Sequence, residues 1–323
     1  MPRPPTPIQW QRAVRVARAL FAATVGACLV LMSTAAWSAN SCTVAATAHA
    51  FGAYDTTNPL SGTSSITVTC THTTNPAFTF NYTIALSSGS GSYASRQMTG
   101  AGDTLTFNHY TTLPHTTVWG DATGGTATVS GSLAVPSGVN RSGSTILTVY
   151  GLIGGLQNVT PAALYSTAVP ITVTVTGNFT GSTTTFNTNA SVAAKCNVAA
   201  ANLSFGAVNP LITQTDAATT LTVNCTKNSP YTVGLNAGVT AGATIAQRKM
   251  ANGADIMNYN LYTNAARTTI WGNSAVAPTW VSGNGAGLAI AQTLTVYGRV
   301  ASGQTNLAVG NYQENTVTVT VTY

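Results

Sequence analysis

The chain has 323 residues and a formal charge of +6, but only 6% of its residues are charged and 44% are hydrophobic. Arg3, Arg12, Arg15 and Arg18 lie near the N-terminus, which leaves eight basic against six acidic residues in the remainder. That balance offers no basic patch for nucleic acid, and abundant Thr, Ser, Asn and Gly carry the polarity instead.

Residues 1–39 read as an export signal. Arg12, Arg15 and Arg18 precede an apolar stretch from Ala19 to about Ala36, and small residues come after it. Cleavage is expected after Ala36 or Ala39. A transmembrane anchor is the rival, but the apolar run is barely long enough and no charged stop lies beyond it. Val25-Gly26-Ala27-Cys28 loosely matches a lipoprotein box, and the strongly apolar residues after Cys28 speak against lipidation.

From Cys42 onward the chain states its landmarks once, then repeats them from Cys196 in the same order. Phe51-Gly52-Ala53 returns as Phe205-Gly206-Ala207, Arg96-Gln97-Met98 as Arg248-Lys249-Met250, and Trp119-Gly120 as Trp271-Gly272. Asn108-His109-Tyr110-Thr111 answers Asn260-Leu261-Tyr262-Thr263, and Leu147-Thr148-Val149-Tyr150-Gly151 answers Leu294-Thr295-Val296-Tyr297-Gly298. A repeat of roughly 150 residues is the size of a whole domain rather than of a solenoid unit. Four cysteines remain after the signal and permit three pairings. Duplication favours Cys42–Cys70 and Cys196–Cys225, each closing a loop worth roughly 3–4 kcal/mol. Bridges of this kind belong to an oxidising compartment.

Period-2 runs dominate the chain beyond the signal: Ile66–Thr69, Phe78–Tyr82, Val169–Thr176 and Leu221–Val223. They predict antiparallel strands with one buried face, hence an all-β chain of two β-sandwiches. Trp119, Trp271, Tyr150 and Tyr297 are expected in the cores. At the end of the sequence Val317, Val319, Val321 and Tyr323 alternate with threonines, which predicts a strand whose outer edge needs a partner. The first copy has an equivalent strand at 169–176, and there the chain continues into a second alternating series, Phe186, Thr188, Ala190, Val192 and Ala194. That segment is a candidate to fill, in cis in the first copy, the position that stays empty after the last strand of the second.

The shared order of the opening cysteine, the Phe-Gly turn, Arg-x-Met, Trp-Gly, Thr-Val-Tyr-Gly and the terminal Val/Thr strand resembles the spore coat protein U domain family, which includes subunits of archaic chaperone–usher pili. The resemblance covers about 40–323 in two copies. The second is nearer the family pattern, with Tyr297-Gly298-Arg299-Val300 and Gly310-Asn311-Tyr312. The first departs from it at Gly151-Leu152-Ile153-Gly154-Gly155-Leu156. The resemblance implies an immunoglobulin-like sandwich lacking its last strand, which a periplasmic chaperone fills during export and a neighbouring pilin subunit fills in the fibre. It also implies an outer-membrane usher and a pilus at the cell surface. The expected layout is a signal at 1–39, an adhesin-like domain at 40–177, a linker with the cis strand of Phe186, Ala190 and Val192 at 178–195, and a pilin-like domain at 196–323. So few residues separate the signal from Cys42 that no donor strand fits ahead of it. The expectation is therefore a terminal subunit, most like a two-domain tip adhesin that attaches cells to surfaces and supports biofilm. Two alternatives stand beside it: a spore- or cell-coat component without a receptor, and a secreted carbohydrate-binding module.

Candidate contact residues lie on three loops. One is Gly151–Leu164, with Leu152, Ile153 and Leu156, which strand parity puts at the end far from the linker. The others are Tyr54–Gly62, with Leu60, and the region 121–142, with Leu133, Val135, Pro136 and Val139. The last sits in an interval of 31 positions, Trp119 to Tyr150, against 26 from Trp271 to Tyr297. Leu152 and Ile153 also read as the continuation of a buried strand. His49, His72, His109 and His115 are expected at solvated strand or loop positions. The acidic residues form no pair for acid–base work, no nucleophile motif appears, and neither an enzyme nor a cofactor is expected.

Overall fold

The computed structural model describes residues 40–276 and 279–323, so the export signal expected over residues 1–39 lies outside the described residues. Among the described residues the chain is all strand and loop. The first half holds β1 (Ser41–Ala46), β2 (His49–Tyr54), β3 (Leu60–His72), β4 (Phe78–Leu86), β5 (Arg96–Gly100) and β6 (Asp103–Tyr110). It continues with β7 (Val129–Val135), β8 (Arg141–Ile153), β9 (Ala162–Ser166), β10 (Ile171–Gly177), β11 (Ser182–Phe186) and β12 (Thr188–Val192). The second half holds β13 (Cys196–Ala200), β14 (Thr215–Cys225), β15 (Pro230–Leu235), β16 (Arg248–Asn252), β17 (Asp255–Tyr262), β18 (Val281–Asn284), β19 (Gln292–Val300) and β20 (Val319–Thr322).

Alternation places one face of each strand inside. Along β3, Ile66, Val68, Cys70 and His72 are buried while Thr67, Thr69 and Thr71 face outward. The strands pair into sheets of order β1-β3-β8-β6-β5-β9-β12-β2 and β11-β10-β4-β7 in the first half, and β13-β14-β19-β17-β16 and β18-β15-β20 in the second. The buried apolar side chains gather into two cores, one from residues 42–192 and one from residues 196–321. Cys42 bonds Cys70 and Cys196 bonds Cys225, each between the two directly opposed residues of its strand pair.

The repeated landmarks serve one purpose in both cores, the burial of a cation without a carboxylate. Arg96 is fully buried and gives its guanidinium protons to the Ser87 carbonyl, to the Trp119 carbonyl at 2.7 Å and to Asn108 Oδ1. Arg248 does the same with Asn236 O (2.8 Å), Leu235 O (2.9 Å), Trp271 O (2.8 Å) and Asn260 Oδ1 (2.7 Å). The two indoles close the arrangement, Trp119 donating to Ile84 O at 3.0 Å and Trp271 to Val233 O at 2.8 Å. Arg, Asn and Trp recur together because each one satisfies polar atoms that the others bring inside. Burial pulls both guanidinium pKa values down to about 10, which leaves them charged at neutral pH.

Three expectations are corrected here. Tyr150 and Tyr297 are half-buried on the outer sheet face, because Val149 and Val296 beside them take the inward positions. The strand expected at 169–176 begins at Ile171, with Val169 exposed. The alternating series from Phe186 is not one strand: it breaks at Asn187 into β11 and β12, which lie in different sheets.

Replacing Arg96 by Lys keeps the charge but loses the planar fork that reaches three acceptors at once. At least one buried carbonyl is then left bare, and Arg96→Lys is expected to cost about 2 kcal/mol or more in denaturant unfolding.

Candidate functional site

The two halves differ most where the segment after β10 lies. Leaving Gly177, the first half turns back so that β11 runs antiparallel on β10, with Ile171 opposite Phe186 and Val175 opposite Ser182. It then crosses to the other sheet, where β12 runs antiparallel to β9 and parallel to β2, with Thr188 opposite His49 and Val192 opposite Tyr54. Phe186, Ala190 and Val192 all turn inward and are at most 5% exposed. Under this cover Ile171, Val173 and Val175 of β10 are also sealed from solvent.

The second half copies the sheets but not the cover. Its strands correspond in order to β1-β3-β8-β6-β5 and β7-β4-β10 of the first half, and the positions of β11 and β12 have no counterpart among the described residues. β20 pairs with β15 on one side, Val319 opposite Leu235 and Val321 opposite Val233, and no described strand meets its other edge. Val317, Val319 and Val321 are only half-buried against the second core, and Tyr323 is 56% exposed. Segments 203–207 and 307–313, the sequence equivalents of β2 and β9, form no strand there. Between them lies a cleft of about 1220 Å³ floored by Leu235, Met250, Met257, Tyr259, Leu261 and Val296. A strand edge with free backbone donors and acceptors thus borders a trough with an apolar floor. The arrangement can take up one extended peptide, which would complete the ladder and seal the trough together.

The two copies are visible to family comparison as well: the Spore Coat Protein U domain matches residues 28–174 and again residues 182–321. The chain belongs to the Spore Coat Protein U domain family. Protein U of Myxococcus xanthus is 31% identical over 160 residues, which cover 44% of this chain and 84% of that protein. Among solved structures, the chain is similar to one in the chaperone–tip adhesion subunit pre-assembly complex of CsuC and CsuE, from archaic chaperone-usher Csu pili of Acinetobacter baumannii. That likeness has a TM-score of 0.50 at 15% identity and covers 87% of this chain and 100% of that one. The CupB6 tip adhesin from Pseudomonas aeruginosa aligns with a TM-score of 0.34 at 10% identity, over 85% of this chain and 91% of its own.

Against this family frame the expected contact loops fall in unexpected places. Ile153 and Val135 are buried, Leu152 lies within β8, and Leu60 and Leu133 are half-buried at strand positions. Of the expected contact residues Leu156 is 70% exposed, and Val139 and Pro136 are exposed as well. Nor does its loop lie far from the second half. Asn158 donates to Ala286 O at 3.0 Å and Asn228 to Thr160 Oγ1 at 3.0 Å, while Lys227 meets Asp103 at 2.6 Å. Asp103 in turn accepts from Thr160, so the loop is clasped between the halves. Strand parity failed because the chain reverses once more after β10, and β11 and β12 then run in succession back toward the end where this loop lies before the chain reaches Cys196. The opposite end is marked by His72 facing Arg141 in the register, where His72 Nε2 bonds Pro136 O at 2.8 Å. The loops 73–77 and 136–140 meet there and present exposed Pro76, Ala77, Pro136 and Val139.

The histidines are the other correction. His49, His72 and His109 are fully buried, and only His115 is half-exposed. His49 and His109 lie with ring centroids 4.9 Å apart, packed among Phe51, Phe107 and Phe186. Their aromatic bodies fill core space, a role that a single sequence does not separate from a polar surface role. Burial lowers the His49 pKa to about 4 and holds His109 well below its ordinary value, with His49 and Arg96 adding repulsion. The folded first half therefore refuses protons that its unfolded chain binds below about 6.5, so stability rises with pH between about 4 and 6.5. Acidification from pH 7 to 4.5 is expected to weaken it by up to about 1.4 kcal/mol per pH unit for each such histidine. The second half, with no histidine, should not respond in this way, and His49→Leu should flatten the slope. Amide exchange compared between Phe78–Leu86 and Pro230–Leu235 measures the difference.

Proposed function

We propose that the chain is an adhesive subunit at the end of a secreted chaperone–usher pilus, joined to its neighbour by strand complementation of the second half. One observation carries this reading: the trough that the first half covers with its own residues 182–192 stays uncovered in the second half, beside the unpaired edge of β20. A first half complete in cis asks nothing of a partner, whereas an open second half asks for one strand. In this reading 40–177 forms an immunoglobulin-like surface-binding domain closed by 178–195, and 196–323 forms the pilin-like domain. A periplasmic chaperone lends the strand during export, an outer-membrane usher releases it, and a neighbouring pilin subunit replaces it outside the cell, in support of attachment and biofilm growth. The exposed Pro76, Pro136 and Val139 at the end away from the second half suit contact with an apolar surface.

Expressed with its chaperone in a periplasm, the chain should purify as a one-to-one complex, and deletion of Val317–Tyr323 should abolish that complex. A stable monomer that needs no partner would overturn the reading in favour of a self-sufficient binding module. In the assembled fibre, Val139→Asp should reduce attachment to apolar surfaces at least several-fold without loss of secretion. Leu156→Ser, in the clasp between the halves, should leave attachment unchanged.

A further inference from the structure

The two troughs share much of their lining, and among the positions where they differ one pair exchanges histidine for leucine. In the first half these are His49 and His109; in the second, Leu203 and Leu261. The equivalence is geometric as well as sequential. His109 and Leu261 each donate an amide bond to the preceding asparagine side chain, His109 N to Asn108 Oδ1 at 3.0 Å and Leu261 N to Asn260 Oδ1 at 2.9 Å. Each carbonyl then accepts the amide of its tryptophan at 2.9 Å. His49 and Phe51 press on Gly151, where a Cβ would collide with both rings, and Leu203 and Phe205 press on Gly298 in the same way.

The segment that lies over the histidines answers them in kind. Thr188 is fully buried, directly opposite His49 in the parallel ladder, and its hydroxyl stands 3.4 Å from His109 Nε2. Phe186, two residues before it, packs its ring 5.4 Å from that of His109. Both imidazoles are neutral at ordinary pH, so His109 can pair with a hydroxyl and carries no charge that would repel an apolar neighbour. Over Leu203 and Leu261 the same hydroxyl would be buried with nothing to bond, and an isosteric methyl would fit instead.

We propose that this pair of positions decides which strand each half accepts: His109, with the His49 ring packed against it, holds the chain's own segment through Thr188, while Leu203 and Leu261 select a strand from another polypeptide that is apolar at the matching position. The inference rests on the reading of the second trough as a strand acceptor. It adds the chemistry of the occupant: an extended segment, parallel to 203–207 and antiparallel to 307–313, alternating like Phe186-x-Thr188-x-Ala190-x-Val192 but with an aliphatic side chain in place of the threonine. The histidines thereby separate the two acceptors of one chain, so that its own linker does not compete for the open one.

Fluorescent peptides spanning residues 182–194, one with the natural sequence and one carrying Thr188→Val, test this on the full secreted chain by anisotropy titration. The valine peptide is expected to bind about ten-fold or more tightly, the penalty for burying one unpaired hydroxyl. Equal affinities would overturn the selectivity while leaving the trough as an acceptor. Binding by neither peptide would overturn the acceptor reading and the selectivity with it. In the chain carrying Leu203→His and Leu261→His, the preference should shrink or reverse, and a preference unchanged from the parent chain would show that these positions do not set it.

Discussion

A strand with one apolar face and one free edge cannot be left half-finished in water. Its edge amides and carbonyls can bond solvent, but the apolar face beneath cannot, and only another strand answers both demands together. β10 and β20 begin from this same constraint and meet it differently. β10 is covered by the chain just after it and its inward residues are sealed; β20 is not, and its valines remain half-buried. The loss extends beyond one strand. Because β12 pairs on both sides, with β9 and β2, the corresponding segments of the second half lack the ladder that would make them strands. The open trough results from one missing cover.

The second half nevertheless holds together without that cover because its polar core is self-contained. Arg248 needs Leu235, Asn236, Asn260 and Trp271, all of which lie on or beside elements that pair within the half. The equivalent network around Arg96 likewise makes no bond to β11 or β12. The sheets are thus pinned by a cation bonded to backbone carbonyls and one asparagine, and the cover adds apolar burial and ladder bonds on top. Such a division allows a scaffold to stand while one strand is exchanged, since exchange leaves the buried charge fully partnered.

How much of this was legible depended on whether local pattern or chain path decided the matter. The disulfides, the strand periodicity, the inward Trp119 and Trp271 and the inward Phe186, Ala190 and Val192 are all consequences of local alternation read twice over. The buried histidines escape a reading by residue type, which is ambiguous, and only the path of β2 across Gly62 and Gly151 shows what they fill. Tyr150 and Tyr297 mislead because an aromatic at a recurring position looks like core, yet one step of register puts its neighbour inside. The loop 151–164 defeats parity counting, which allows for one passage along the sandwich where the chain makes two, out through β10 and back through β11 and β12. In each case the missing information was a long-range contact, which spacing along the sequence does not carry.

The same contrast explains why two repeats of one architecture in one chain need not compete for each other's strands. Duplication alone would produce two troughs of equal taste, and the linker could then serve either one. Tethering favours the first half, since Ser182 lies only a few residues beyond Gly177 of β10, so its effective concentration there is high. But tethering gives only a preference of place, and a second copy of the chain would offer its own open trough at high local density in a crowded compartment. A polar pair on one floor and an apolar pair on the other adds discrimination by chemistry, independent of concentration. Proximity fills the first trough quickly, and the leucines reserve the second for a strand from outside the chain.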